Sequence, residues 1–204
     1  LRGHSVCIID RNSNFKISFI DILRLAKRKF LGNRIRNFAY FKKQYLLPMT
    51  SEIITNKEML LLDEKYQFDI YIVGSDQVWR AIYYRDIKYN FYLDFVSSKR
   101  KISFAASFGI SSWEYTNTET DIIAKLLMDF SFVSVREDTA VRLCSDYLNI
   151  NAVQFLDPTF LLDKNEYCCL ADCFYSSKKI DIFAYIMGPD SSKDKLIKII
   201  SDYS

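Results

Sequence analysis

Short apolar runs recur along the chain, and most of them have the length of a single strand. Asp69–Val73 is rich in β-branched and aromatic residues, which is typical of a strand buried on both faces of a parallel sheet. Similar runs at Lys101–Phe108, Phe132–Val135 and Ala152–Leu156 predict three more strands, and His4–Asp10 predicts a fifth near the start of the chain. The pattern therefore predicts a multistranded sheet.

Segments with helical periodicity separate several of these strands. Thr118–Phe130 predicts an amphipathic helix, and Asp138–Leu148 predicts another with an acidic residue near its amino end, where the helix dipole favours an anion. The apolar face of the first helix carries Ile122, Ile123, Leu126, Leu127 and Phe130. Thr55 and Glu58 fit a capping box that begins a helix ending near Tyr66. This alternation predicts an α/β fold: a Rossmann-like parallel sheet with flanking helices.

One basic segment has two interpretations. Ile17–Phe41 has apolar residues at helical spacing and is interrupted near Gly32 and Asn33. It and the residues just after it carry eight basic side chains: Arg24, Lys27, Arg28, Lys29, Arg34, Arg36, Lys42 and Lys43. A solvated helical face is one interpretation, and peripheral docking to an anionic membrane surface is the other.

The pattern changes after Pro158. Phe160–Lys179 is irregular and partly polar, whereas Ile180–Met187 predicts a new strand followed by a capped helix. We predict a Rossmann-like amino-terminal domain at residues 1–163, a linker at 164–179, and the start of a truncated carboxyl-terminal domain at 180–204. We also expect that the amino-terminal domain lacks its first strand and glycine loop, and that this chain alone is inactive.

Composition narrows the class of protein. Half of the 204 residues are hydrophobic, and five Gly and three Pro argue against a disordered or fibrous chain. The net charge of +3 is too small to indicate nucleic-acid binding. No apolar run reaches the roughly 20 residues of a membrane span. An odd number of cysteines, five, without a regular framework favours a reducing cytoplasm.

A cysteine cluster offers a weak metal hypothesis. Cys168, Cys169 and Cys173 lie close together, but they lack paired CxxC spacing and a nearby His. We therefore interpret them as ordinary buried thiols and predict no metal site.

Polar residues follow four of the predicted strands. These are Gly74-Ser75-Asp76, Ser107-Phe108-Gly109, Arg136-Glu137 and Asp157-Pro158. In open α/β sheets, ligands bind beyond the carboxyl ends of the strands, so four such ends at one edge predict a cleft.

Five segments in order resemble the polysaccharide pyruvyl transferase family. They are Gly74-Ser75-Asp76-Gln77-Val78-Trp79, Tyr92-Leu93-Asp94-Phe95, Ala105-Ala106-Ser107-Phe108-Gly109, Ser134-Val135-Arg136-Glu137 and Asp157-Pro158-Thr159-Phe160-Leu161-Leu162. The resemblance covers about Asp69 to Leu162, and residues 3–10 are similar to the family's second strand. Arg80 departs from the family pattern, which usually has Asn there.

The resemblance implies a fold and a reaction. It implies two Rossmann-like domains facing each other across a cleft, as in GT-B glycosyltransferases. It also implies transfer of pyruvate from phosphoenolpyruvate, as co-substrate without a further cofactor, to a sugar of a surface polysaccharide or its precursor, giving a cyclic ketal. The partners expected are phosphoenolpyruvate and a glycan or lipid-linked sugar acceptor.

This chemistry assigns candidate roles to three charged residues. Arg136 is the first candidate for a donor contact, because a guanidinium binds phosphate or carboxylate in bidentate fashion; a structural ion pair with Glu137, Asp157 or Asp138 is the alternative. Asp76 is the candidate for acid–base work or sugar binding, or else forms a turn. Glu137 is either a base or an electrostatic partner of its helix terminus.

The remaining candidates are uncharged or structural. Gln77 binds sugar hydroxyls or ties down its loop, and Trp79 stacks on a sugar or packs in the core. The other predicted substrate-binding positions are Gly74, Ser75, Ser107 and Gly109; for Ser107 and Gly109 the alternative is a close-packed backbone edge. Asp157 and Pro158 are predicted to be structural at the cleft edge.

Two rival functions remain open. One is a GT-B nucleotide-sugar glycosyltransferase, although the sequence lacks GxGxxG and Walker A spacing. The other is a non-catalytic carbohydrate-binding module. His4 is the single histidine, so no Ser-His-Asp triad is available.

Overall fold

The computed structural model describes residues 3–12, 40–46, 48–84 and 86–172, with the single positions Lys195 and Lys198. The chain divides into two compact units, Leu1–Leu161 and Leu162–Ser204. The predicted helix within residues 17–41 lies mostly outside the described residues, and the predicted strand at 180–187 lies entirely outside them. Residues 40–45 are helical.

A four-stranded parallel sheet forms the centre of the first unit. Its strands are β1 (Ile70–Val73), β2 (Arg100–Ala106), β3 (Phe132–Val135) and β4 (Val153–Gln154), and they lie side by side in chain order. All three pairings are parallel, which confirms the predicted α/β fold with a parallel sheet. All four carboxyl ends therefore point to one edge of the sheet.

Strand β2 contains a bulge before it reaches that edge. Ser103 pairs with Val133 but Ala106 pairs with Val135, so β2 has one extra residue, and Ala105 takes a positive φ of 50°. Two buried serines satisfy the displaced backbone groups. The Ser103 hydroxyl donates to the Ser134 carbonyl (2.9 Å) and accepts from its N–H (2.9 Å), while the Ser134 hydroxyl accepts from the Ala105 N–H (3.0 Å).

Three helices begin within one residue of their predicted starts, and the single helix predicted to end near Tyr66 is divided in two at Leu61. Helices α1 (Asn56–Leu60) and α2 (Leu62–Tyr66) precede β1, and α3 (Asn117–Met128) and α4 (Asp138–Leu148) flank β3 in sequence. The capping box of Thr55 and Glu58 is confirmed: the Glu58 N–H donates to the Thr55 hydroxyl, and the Glu58 carboxylate accepts from the Thr55 N–H. A second capping box, which was not predicted, begins α3 at Thr116.

A buried core fixes the helices against one face of the sheet. Ile123 and Leu127 of α3 and Leu143 and Cys144 of α4 are among its members. Burial raises the pKa of the Cys144 thiol to about 12, so this cysteine is a core residue.

The predicted strand near the start of the chain forms only isolated bridges. Ile8 pairs with Met49 and Arg11 pairs with Ile53, both in parallel. The Arg11 side chain also donates to Asn90 Oδ1 at 2.9 Å. This segment is therefore attached to the unit through residues distant in sequence.

Three expectations were wrong. Strand β1 is not buried on both faces, because its burial alternates and Ile72 is 64% exposed. Cys168 and Cys169 are exposed, not buried, because they lie on helix α5 (Lys164–Asp172) rather than in the core of a sheet. The irregular stretch expected after Phe160 contains this helix and the end of a 3₁₀ helix at Pro158–Leu161.

Candidate functional site

Five side chains from all four strand ends form one hydrogen-bonded group, which we call the polar cluster: Ser75, Ser107, Arg136, Glu137 and Asp157. The Ser75 hydroxyl donates to Asp157 Oδ2 (3.1 Å), and Arg136 Nη1 donates to the same oxygen (3.2 Å). Arg136 Nε and the Ser107 hydroxyl both donate to Glu137 Oε1, at 3.0 and 2.7 Å. The predicted convergence of the strand ends is thus present in the structure.

Arg136 lies between two carboxylates. It forms ion pairs with Glu137 and Asp157, which are two of the three partners predicted for a structural ion pair. The third, Asp138, pairs with Arg142 instead. Burial lowers the pKa of Arg136, but the hydrogen bonds to Glu137 and Asp157 outweigh this and leave the pKa raised. The charges of the cluster add up to an excess of one negative charge.

Asp157 connects the first and last strands. Its Oδ1 accepts from the Thr159 N–H (3.0 Å), and this hydrogen bond forms the turn into the 3₁₀ helix. Its Oδ2 accepts from Ser75 and Arg136. The hydrogen bond from Thr159 is the main cause that lowers the pKa of Asp157 to about 2, and Arg136 and Ser75 add to it. Asp157 therefore joins the two strand ends through hydrogen bonds, and its structural role stays a prediction.

Glu137 is the N-cap residue of α4 and shares its Oε1 between two donors. Its side chain is 34% exposed. Among the described residues, no hydrogen bond to Oε2 is found. The Glu137 side chain makes no capping hydrogen bond to α4, and its role as a base stays a prediction.

The loop after β1 approaches β2 closely. Gly74 has a φ of 131°, and a Cβ there would lie 2.0 Å from the Phe104 carbonyl oxygen. A Cβ on Gly109 would lie 2.4 Å from the Gln77 side chain. Both glycines therefore provide close packing, and Gln77 packs over the neighbouring strand end.

Asp76 does not join the polar cluster. Its carboxylate is exposed and accepts from the Gln77 N–H at 2.7 Å, which is the turn-forming interaction that the sequence offered as the alternative role. The Asp76 carbonyl accepts from the Ser107 N–H (3.2 Å) and thereby ties the first strand end to the second. An acid–base role for the exposed carboxylate stays a prediction.

Trp79 packs in the core. It is fully buried, its ring stacks on Tyr92 with centroids 5.3 Å apart, and its indole N–H donates to the Phe91 carbonyl at 2.9 Å. A ring without an exposed face cannot stack on a sugar. The prediction that Trp79 binds substrate is therefore wrong, and Trp79 has the alternative role of a core residue.

Two residues near this loop were not predicted as part of the site. Arg80 donates through Nη1 to the Gly109 carbonyl (3.0 Å) and pairs with Glu114 at 2.8 Å, so it holds two loops together. Tyr84 packs on Phe91 with ring centroids 4.2 Å apart, and burial together with the charge of Asp76 raises its pKa. Neither belongs to a strand end, so the pattern of polar strand ends does not indicate them.

An apolar cavity of about 660 Å³ adjoins the cluster at Asp157. Its other lining residues are hydrophobic: Phe104, Phe155, Leu156, Phe160 and Leu161.

In the described ranges, no group of three or more His, Cys, Asp or Glu side chains is arranged to hold a metal ion. Across the same residues, no helix has the length and apolar character needed to cross a membrane.

Comparison with known families decides the family. A family model described as "Polysaccharide pyruvyl transferase" matches residues 2–203. The chain belongs to the polysaccharide pyruvyl transferase family. The match covers nearly the whole chain, including the polar cluster, and confirms the resemblance carried by the five ordered segments. No curated protein and no solved structure matches the chain significantly.

Proposed function

We propose that this polysaccharide pyruvyl transferase family member transfers a pyruvyl group from phosphoenolpyruvate to a sugar of a surface polysaccharide or its lipid-linked precursor. Membership of the family over residues 2–203 carries the proposal, and the polar cluster at the sheet edge supports it. The acceptor is a pair of sugar hydroxyls, and the product is a cyclic ketal.

The reaction requires proton transfer in two directions. The methylene carbon of phosphoenolpyruvate gains a proton and becomes a methyl group, which makes the neighbouring carbon electrophilic. Two sugar hydroxyls form C–O bonds to that carbon and the bond to phosphate breaks. The two hydroxyls lose one proton each. One of these protons replaces the proton taken up by the methyl group, and the other leaves with phosphate. A carboxylate within hydrogen-bond reach of the hydroxyls serves as the base.

Charge favours the acceptor as the ligand of the polar cluster. The donor is a multiply charged anion, whereas the cluster has two carboxylates around one guanidinium. A surplus of negative charge disfavours an anion but suits neutral hydroxyl groups, which donate to carboxylate oxygens. We assign Oε2 of Glu137 as the base and the exposed Asp76 as a second sugar contact or proton donor.

The test uses the protein as the native host produces it. Phosphate release from phosphoenolpyruvate is followed with and without glycans from the native host, and ketal formation is detected by the mass of the product. Glu137→Gln should lower kcat at least 100-fold because general-base catalysis contributes roughly 10²–10⁴-fold. Glu114→Gln, a carboxylate outside the cluster that pairs with Arg80, is the matched control.

The rival functions give different outcomes in the same experiment. If no glycan makes phosphate release faster than it is without glycan, the proposal is refuted for the glycans tested. Nucleotide-sugar binding that phosphoenolpyruvate does not displace would favour a glycosyltransferase. Glycan binding without turnover would favour a carbohydrate-binding module.

A further inference from the structure

Ser107 is part of the polar cluster but is closed to substrate. Its side chain is fully buried, at 0% exposure, although the serine follows directly on strand β2 at the ligand-binding edge. A contact between its hydroxyl and a sugar would require this edge to open. The predicted substrate-binding role of Ser107 therefore does not fit the structure, and its hydroxyl must serve another purpose.

The Ser107 hydroxyl has one orientation that satisfies both of its partners. It accepts from the Gly109 N–H at 2.9 Å, so its single proton is directed to Glu137 Oε1 at 2.7 Å. The serine backbone is held as well, because its N–H donates to the Asp76 carbonyl and its carbonyl accepts from the Trp79 N–H. The donor that faces Glu137 is therefore fixed in place by the fold.

A fixed donor determines which oxygen of the Glu137 carboxylate is left for an acceptor hydroxyl. Ser107 and Arg136 both donate to Oε1, and these two donors restrict rotation of the carboxylate about its last bond. Oε2 is left without a hydrogen bond among the described residues. A carboxylate held in this way loses less conformational freedom when an acceptor hydroxyl binds.

We propose that Ser107 is a positioning residue that orients the Glu137 carboxylate so that Oε2 faces the acceptor hydroxyl. This inference rests on the proposed function, in which Glu137 is the base. Ser107 itself contacts neither the sugar nor the donor.

A double-mutant cycle on the protein as the native host produces it tests this role. Ser107→Ala, Glu137→Gln and the double variant are compared by steady-state kinetics with phosphoenolpyruvate and the active glycan. Ser107→Ala should lower kcat about tenfold, the scale of one charge-assisted hydrogen bond, and change the KM for the glycan less than twofold. The double variant should be no slower than Glu137→Gln alone, because Ser107 acts through Glu137.

Ser103→Ala is the matched control for loss of a buried hydroxyl. Ser103 lies on strand β2, which Ser107 follows, and is equally buried, but its hydroxyl bonds only to the Ser134 backbone. This variant should lower the unfolding midpoint and keep kcat within twofold. If Ser107→Ala fails to fold, Ser107→Cys repeats the test with a side chain of similar shape and a weaker donor.

The outcomes separate this inference from the function on which it rests. If the losses of kcat caused by the Ser107 and Glu137 substitutions multiply in the double variant of an active enzyme, the positioning role is overturned. An equal loss of kcat in Ser103→Ala would overturn it as well. Absence of turnover by the wild-type protein would instead overturn the proposed function, and with it this role of Ser107.

Discussion

Replacing Asp157 by Asn removes the charge that connects the first and last strand ends. The Asp157 carboxylate accepts from Ser75 and Arg136 through one oxygen and from the Thr159 N–H through the other. Asn has similar size and can still accept the Thr159 hydrogen bond through its carbonyl. Its amide N–H group, however, faces the Arg136 guanidinium with donors, so the substitution removes the charged interaction while keeping the size of the side chain.

The pKa of Asp157 sets the size of the effect. Its fall from 3.8 to about 2 on folding sets an upper limit of about 2–3 kcal/mol for the stability that the ionised carboxylate contributes. The side chain is 20% exposed, so solvent screening reduces this contribution. We expect Asp157→Asn to lower the free energy of unfolding by about 1–2 kcal/mol at pH 7.

The pH dependence has a definite sign. The folded pKa lies below the unfolded one, so the contribution is complete above about pH 5 and is lost as the pH falls toward 2. The difference in unfolding free energy between wild type and Asp157→Asn should therefore be constant from pH 8 to 5 and shrink below that range.

Urea unfolding followed by tryptophan fluorescence measures this difference. The two tryptophans of the chain, Trp79 and Trp113, both lie in the first unit, which contains Asp157. Asp146→Asn is the control, since this exposed carboxylate on α4 has no hydrogen bond or ion pair among the described residues; it should change stability by less than about 0.5 kcal/mol. Equal stability of wild type and Asp157→Asn at pH 7, or a difference that does not shrink between pH 5 and pH 2, would refute this account of the edge.

Three further substitutions test separate parts of the site. Gly74→Ala should destabilise the fold by more than about 3 kcal/mol in urea unfolding, because its Cβ would lie 2.0 Å from the Phe104 carbonyl oxygen; a loss below about 1 kcal/mol would contradict this packing. Trp79→Ala should lower the unfolding free energy by about 3–5 kcal/mol through loss of a buried ring, and an unchanged denaturation midpoint would argue against a core role. Asp76→Asn should change stability by less than about 1 kcal/mol but lower kcat in the phosphate-release assay, since its carboxylate is exposed; unchanged kcat would remove Asp76 from the proposed chemistry.

Local patterns predicted most of the helices and strands because they depend on neighbouring residues. The bounds of β3 and α4 agree with the predicted ones, and the Thr55 capping box was predicted from two side chains three residues apart. Strand β4 is shorter than its apolar run, since only Val153 and Gln154 pair with β3. An apolar run shows where a strand can form, whereas pairing depends on the neighbour.

The members of the site could also be predicted, but their contacts could not. The pattern of polar residues after buried strands is sufficient to indicate Ser75, Ser107, Arg136, Glu137 and Asp157. The pairing of Ser75 with Asp157 joins residues 82 positions apart, and no sequence pattern specifies such a contact. The same applies to the contacts of Arg80 with Gly109 and Glu114, which join two loops.

The sequence by itself determined the family, the parallel α/β fold and the strand ends where the polar residues lie, because these follow from local periodicity and ordered motifs. Only the tertiary structure decided which residues are accessible and which oxygen each donor meets. Trp79, Ser107 and Glu137 all lie in segments that resemble the family, and the sequence does not distinguish their exposure. In the structure, Trp79 and Ser107 are buried and Glu137 is partly exposed. Burial depends on packing between segments distant in the chain, and it separates the residues that can contact a substrate from those that support them.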